Sequence, residues 1–201
     1  LVPIMGLVHL QRAGHRPVAL VGGGTGMITH EFKGGIGTAS VRVGAVTVGA
    51  LVACNALGDV IDPDTGRVIA GARSVNGATL RNTRRALLSG EAPSPILAGT
   101  NTTIGVIATD AALTKAEATR LAQAGHDGLA RAINPVHTVA DGDTLFALAT
   151  GRAASNPGMM VLATMAAQAV AMATVRAVLA AQTLEIDGKR LPTARDLQGA
   201  A

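Results

Sequence analysis

Scarcity of aromatic side chains constrains this chain most: among 201 residues there is no Trp and no Tyr, and the only Phe residues are Phe32 and Phe146. Core volume must then come from Ala, Val, Leu, Ile and Met. Such side chains fill space only where backbones approach closely, and 25 glycines permit that approach. Layered sheet and helix meet the requirement. At 48% hydrophobic and 15% charged, with no low-complexity tract, residues 1–201 fall within the range of one globular domain. The same scarcity weighs against single-stranded nucleic-acid binding, because base stacking on aromatic rings supplies much of that affinity.

The net charge is +4, with nine basic and five acidic residues over 1–101 and eight of each over 102–201. Arg81, Arg84 and Arg85 form the basic cluster. They fall on a short helix expected over 78–88, where an arginine face reads as solvated surface. Lone Cys54 excludes an internal disulfide and is compatible with a cytoplasmic location. The uncharged run 153–175 is long enough to cross a bilayer. It is built mostly of Ala and Met, broken by Ser155, Asn156, Thr164, Gln168 and Thr174, so a buried helix is expected and no membrane partner. The opening stretch LVPIMGLVHLQRAGHRP is a poor signal peptide and lacks an initiator Met, so the chain is expected to begin inside a longer protein.

Residues 36–53 are Val-rich and partly alternating, which predicts one or two buried strands joined by a Gly-containing turn. The segment IDPDTGRVIAG reads as a hairpin, with a short strand near residues 67–69. GEAPSPILAGTN reads as an exposed connection, and TTIGVIATD as a buried strand. Thr114 with Glu117 marks a capping box ahead of an amphipathic helix. TLFALATG supplies a further strand, and Asn156-Pro157-Gly158 opens an apolar helix to about residue 182. Strands followed by helices in both halves point to an α/β layered sandwich.

Four places could carry chemistry. In LAGTNTTIGVIATD a loop of small residues meets two threonines at a strand start. β-branched propensity alone explains adjacent threonines. A Thr hydroxyl nevertheless becomes an effective nucleophile when the chain is cut just before it, because the freed α-amine, with a pKa of roughly 7.7–8.0, serves as base. Asp141-Gly142-Asp143 precedes a strand; it is either a solvated turn or a carboxylate pair able to orient a Thr amine and hydroxyl. Lys33 before a glycine turn and Asn55 after an apolar strand are ordinary surface and capping residues, or charge-stabilising and oxyanion groups. The string GGGTGM at 22–27 fits neither phosphate-loop pattern, His30 and Glu31 lack a second His, and His126 and His137 stand unaccompanied. Neither a metal nor any other cofactor is expected.

Together GGGTGMITHEFKGGIGTAS, ACNALGDV, NTTIGVIATDAAL and NPVHTVADGDTLFALATG resemble the DmpA-type aminopeptidases, a family that includes β-peptidyl aminopeptidases and nylon-oligomer hydrolases. The resemblance implies an αββα sandwich, laid out like the N-terminal-nucleophile hydrolases but connected differently. It implies autocleavage between Asn101 and Thr102 into associated subunits 1–101 and 102–201. Thr102 is then the nucleophile, Lys33 and Asn55 stabilise charge and the oxyanion, and Asp141 and Asp143 contact Thr102. The Asn-Thr junction looks like the nylon-hydrolase branch; aminopeptidase members commonly cut at Gly-Ser. Family members carry roughly another third of chain ahead of GGGTGM, a region that residues 1–20 do not resemble. Expected partners are a small peptide or amide substrate and further copies, as a homo-oligomer of processed pairs. Two other readings compete. One is an inactive remnant serving as an assembly subunit; the other is an ornithine acetyltransferase-like self-cleaving transferase, against which the Lys33, Asn55 and Asp-Gly-Asp set speaks.

Overall fold

The structure, a computed structural model, describes residues 28–29, 32–74, 77, 79–91, 101–186 and 189–198. The GGGTGM string, His30, Glu31 and most of the connection expected before residue 101 lie outside the described residues.

The Val-rich run folds as expected into a hairpin. Strands β3 (Gly35–Val43) and β4 (Val46–Cys54) pair antiparallel from Gly35↔Cys54 to Val43↔Val46. Gly44, at φ 58, takes the left-handed conformation that so tight a turn demands. On the other edge of β4 lies β7 (Ile104–Thr109), antiparallel to it, and β9 (Thr144–Ala149) runs parallel to β7. The order in this sheet is β3-β4-β7-β9. Preceding it, β1 (Ile28–Thr29) and β2 (Phe32–Lys33) form a short hairpin.

Two helices cover one face of the sheet. The IDPDTGRVIAG hairpin is β5 (Asp59–Ile61) with β6 (Val68–Ala70), joined by β8 (Ile133–Asn134) in a second sheet. Between β6 and β7 lies α1 (Thr83–Leu88). Helix α2 (Lys115–Ala132) begins at the expected capping box of Thr114 and Glu117, and α3 (Met159–Leu179) follows Gly158. Without large rings, the layers meet through glycine. A Cβ on Gly37 would fall 1.9 Å from the Ala173 carbonyl of α3, and one on Gly128 of α2 would fall 2.3 Å from that of Ala167. Leu162, Val170, Val178, Val48, Val52 and Ile107 are fully buried between these layers. Each contributes about 1.5–3 kcal/mol by leaving water. Helix α3 is long and apolar enough to cross a membrane, but here its buried residues sit on the sheet and on α2. Residues of the opposite sheet face are more open: Ile104, Phe146 and Leu148 are 47%, 59% and 38% exposed. The chain ends with β10 (Leu184–Ile186), β11 (Lys189–Leu191) and α4 (Ala194–Gln198).

One expected element is shorter than its sequence suggested. The helix expected over 78–88 starts only at Thr83, because Asn82, at φ 66, caps it by accepting the Arg85 N–H at 3.0 Å. Leu80 bridges to Arg73 instead. Arg81 therefore precedes the helix and pairs with Glu91, and the three arginines do not form one helical face.

Candidate active site

Parallel pairing of β7 with β9 sets the amino ends of both strands side by side, and the segments leading into them stay paired. Asn101 bridges Asp141, the Gly142 N–H donates to the Asn101 carbonyl at 3.1 Å, and the Thr144 N–H donates to the Thr103 carbonyl at 3.0 Å. On the other side, the Thr102 N–H donates to the Asn55 carbonyl at 2.9 Å, just past the end of β4. The Asn101–Thr102 peptide is thereby clamped between two chains. The Thr102 hydroxyl donates to the Asn101 carbonyl at 2.5 Å, so that oxygen receives two donors, Thr102 Oγ1 and the Gly142 N–H.

Gly142 has a spatial role that sequence reading missed. A Cβ there would stand 2.8 Å from Thr102 Oγ1, closer than real side chains approach. Turn chemistry suggested a backbone reason for this glycine. The residues with positive φ do not include it; clearance for the hydroxyl is what the position requires.

Both carboxylates are used, but the bonds they make go elsewhere than to Thr102: Asp143 reaches its neighbour Thr103, and Asp141 holds Thr138 and Leu57. Asp141 accepts from the Thr138 hydroxyl at 2.7 Å and N–H at 3.1 Å, and from the Leu57 N–H at 3.4 Å. Asp143, with its side chain 4% exposed, accepts the Thr103 N–H at 2.8 Å and bonds the His137 ring at 2.8 Å. The arrangement has a simple reason: in the continuous chain the Thr102 nitrogen is a peptide N–H already taken by Asn55, and the next N–H falls to Asp143.

Asn55 also accepts the Ile28 N–H through its side-chain oxygen at 2.8 Å. Lys33 is fully buried on β2, two residues before Gly35, the partner of Cys54, so it lies at the same end of the sheet as Asn55 and Thr102. Its Nζ donates to the Gly34 carbonyl at 2.8 Å, and burial holds its pKa below the ordinary lysine value. The other nucleophile type nearby is inert. Cys54 is buried on β4 and burial pushes its thiol pKa up to about 11. Thr103, beside the candidate nucleophile, buries its hydroxyl facing the Cys54 thiol, with no other hydrogen-bond partner among the described residues.

The structure corrects the reading of His126 and His137 as unaccompanied. His126 Nδ1 lies 3.2 Å from His137 Nε2, and His137 Nδ1 lies 2.8 Å from Asp143 Oδ2. Burial, and then His137, hold the His126 pKa below the ordinary imidazole value. These rings line an open pocket of about 400 Å³ with Thr138, Asp141, Gly142, Asp143 and Thr144. The available signal was slight: His137 is six residues from Asp143, but its link to His126 crosses from a turn to a helix. No group of three or more metal-ligating side chains occurs among the described residues.

Comparison with known proteins places this geometry. Residues 9–191 match the model of peptidase family S58. An uncharacterized aminopeptidase of Mycobacterium tuberculosis is 44% identical over 195 residues, covering 90% of this chain and 56% of that relative. The chain thus spans little more than half the relative's length. A Burkholderia β-aminopeptidase superposes with TM-score 0.62 at 33% identity, over 96% of this chain and 57% of its own. The L-aminopeptidase D-Ala-esterase/amidase of Ochrobactrum anthropi, described as a variant of the Ntn-hydrolase fold, gives TM-score 0.61 at 26% identity over 89% and 50%. The layered α/β arrangement is the one these neighbours share. By its match over residues 9–191 and its identity to the mycobacterial aminopeptidase, the chain belongs to peptidase family S58.

Proposed function

We propose that this chain forms part of an amide-bond hydrolase of aminopeptidase type that matures by cutting itself between Asn101 and Thr102. One observation carries the reading: the Thr102 hydroxyl lies on the carbonyl of its own preceding residue, and that carbonyl also receives the Gly142 N–H. Thr102 Oγ1 attacks the Asn101 carbonyl carbon, and negative charge grows on an oxygen that the Gly142 N–H already faces. Collapse breaks the C–N bond, the hydroxyl proton ends on the Thr102 nitrogen, and an ester links Asn101 to Oγ1. Water hydrolyses the ester, leaving the Asn101 carboxylate and a Thr102 with free amine and hydroxyl.

In the cut enzyme the Thr102 amine is the base for its own hydroxyl. Asn55 and Lys33, at the same end of the sheet, stabilise the charge that develops on the substrate's carbonyl oxygen. Asp143 keeps the Thr103 N–H, and so the turn carrying the nucleophile, in place. Substrates are amide bonds of small peptides, amino-acid amides or ω-amino-acid oligomers; likeness to the β-aminopeptidase and to the aminopeptidase with esterase and amidase activity supports the first two, and likeness to a 6-aminohexanoate-oligomer endohydrolase of Paenarthrobacter ureafaciens, 33% identical over 119 residues, supports the third. Intact mass of purified parent and Thr102→Ala proteins tests the proposal. Two fragments meeting at 101/102 in the parent and a single chain in the variant are expected. A parent chain uncut after long incubation favours an assembly subunit instead, a reading supported by the exposure of Phe146 and Ile104 on the open sheet face.

A further inference from the structure

The rings of His126 and His137 are tied to the candidate nucleophile through a chain of bonds that the self-cleavage chemistry above does not use. Its direction follows from which atoms can donate. The ionised Asp143 carboxylate offers only acceptors, so His137 Nδ1 carries the proton of their 2.8 Å bond. On its other side, His137 Nε2 lies 3.2 Å from His126 Nδ1, a hydrogen-bonded ring pair. At its far end Asp143 accepts the Thr103 N–H at 2.8 Å, one residue beyond Thr102. His126 on α2, the His137 turn, the Asp143 turn and the start of β7 are thus in series.

The backbone at His137 indicates that this ring placement is imposed. Its φ is 53, a left-handed conformation that a side chain adopts only at some cost, and the described non-glycine residues sharing that property are Asn82 and His137. Asn82 uses its conformation to cap α1. His137 caps no helix; its conformation delivers the ring to Asp143, a carboxylate whose side chain is only 4% exposed, while the ring itself is 38% exposed to the pocket. A carboxylate so buried needs donors on both oxygens, and its two oxygens meet Thr103 and His137.

We propose that His137 is a positioning residue for Thr102: by donating to Asp143 Oδ2 from the pocket side, it fixes the other carboxylate oxygen on the Thr103 N–H and so sets the Thr102 hydroxyl against the Asn101 carbonyl. His126 orients the His137 ring through its 3.2 Å bond to Nε2. The inference rests on self-cleavage at Asn101–Thr102.

His137→Gly is the informative variant, because glycine adopts φ 53 freely and relieves the backbone while leaving a ring-sized gap open to solvent. Self-cleavage is followed by intact mass in the parent, His137→Gly and His137→Asn, without and with added imidazole. Cleavage is intramolecular, so a slower rate cannot reflect weaker substrate binding. We expect His137→Gly to cut about tenfold more slowly or worse, as small misplacements of reacting groups do. Its melting temperature should fall, because Asp143 Oδ2 loses its donor, with relief of the left-handed backbone offsetting only part of that loss, and added imidazole should recover some of it. Imidazole should restore a saturable part of the rate in His137→Gly and leave the parent unchanged. His137→Asn, whose side chain tolerates the left-handed backbone, keeps the comparison available if the glycine variant folds poorly; it should be slow and little altered by imidazole. Cleavage of both variants at the parent rate overturns the proposal. So does slow cleavage without imidazole rescue in a folded His137→Gly, which means a structural role. A parent that never cuts sinks the self-cleavage reading itself, a distinct outcome.

Discussion

Replacing Gly142 by alanine tests the clamp around the scissile peptide directly. The added Cβ would stand 2.8 Å from Thr102 Oγ1, about 0.5 Å inside ordinary carbon–oxygen contact. Two movements relieve it. Either the Thr102 side chain rotates away, losing its 2.5 Å bond to the Asn101 carbonyl, or the Gly142 backbone retreats and its N–H leaves the same oxygen. The first removes the near-attack geometry and the second removes a preorganised donor, and loss of one such donor costs about 10²–10³-fold in rate. Stability should change little. Gly142 is not among the glycines with positive φ, and alanine's smaller unfolded-state entropy, worth about 0.4–1 kcal/mol, offsets part of the clash. The assay is a time course of intact mass on freshly purified precursor, with a thermal melt alongside. Cleavage of Gly142→Ala at a half-time within twofold of the parent's refutes the argument that this spacing serves the chemistry.

The remaining predictions separate neighbours that sequence alone cannot rank. Thr102→Val should abolish cleavage, whereas Thr103→Val should still cut and should stay within about 1 kcal/mol of the parent's stability, because the buried hydroxyl it removes faces only the weakly bonding Cys54 thiol; mass spectra and melts of both decide. Lys33→Met should slow hydrolysis of an amino-acid amide substrate by the cut enzyme at least about 10²-fold, the scale of a lost charge-stabilising group, as initial rates of product release would show. Asp59→Ala should destabilise by about 3 kcal/mol or more in urea titration, because Asp59 is 1% exposed and accepts from the Thr83 N–H, the Thr83 hydroxyl and the Ala72 N–H. His126 has a folded pKa held below the ordinary value, so the unfolded chain takes up its proton first and stability falls as pH drops from about 6.5 toward the lowered pKa. Melts across that window should be flatter for His126→Asn.

How much of this was legible depends on whether the signal was local. The 35–54 hairpin follows from Val spacing and one turn glycine, and α2 from a capping box four residues long. Both are short-range physics. The start of α1 was misplaced because residues 78–82 are compatible with a helix, yet Leu80 is drawn to Arg73 and Thr83 to the buried Asp59, contacts separated in sequence. At the site, Thr102, Asn55, Asp141 and Asp143 each sit by a strand end, which made them candidates, but it was the resemblance to DmpA-type aminopeptidases that set them above ordinary strand, cap and turn residues. Their partners could not be named. The parallel pairing of β7 with β9 puts Gly142 rather than either carboxylate against the Thr102 hydroxyl, and no spacing in Asp-Gly-Asp announces it. His126 and His137 escaped for the same reason.

The site's geometry also makes chemistry depend on assembly. Apart from the Thr102 hydroxyl's own bond to Asn101, the bonds at the scissile peptide come from distant segments: Asn55 from the end of β4, Gly142 from ahead of β9, and the Asp143 support of Thr103 from the same turn. The full set forms only when β7 has both neighbours, so a chain with β3, β4 and β7 paired but β9 undocked holds Thr102 without the Gly142 N–H on the Asn101 carbonyl. Leu145 and Ile107 lie under Gly125 of α2, whose close approach seats β9 beside β7. Gly125→Val would push against side-chain atoms now 2.4 and 2.9 Å from the position of a Cβ. It should therefore slow cleavage by loosening the β7–β9 pair beneath the site, a coupling of packing to reacting geometry. In that variant the cleaved fraction should track the folded fraction as urea is raised. In Gly142→Ala the chain should stay folded and uncut, and if both variants instead follow the folded fraction, the clamp has no role apart from stability.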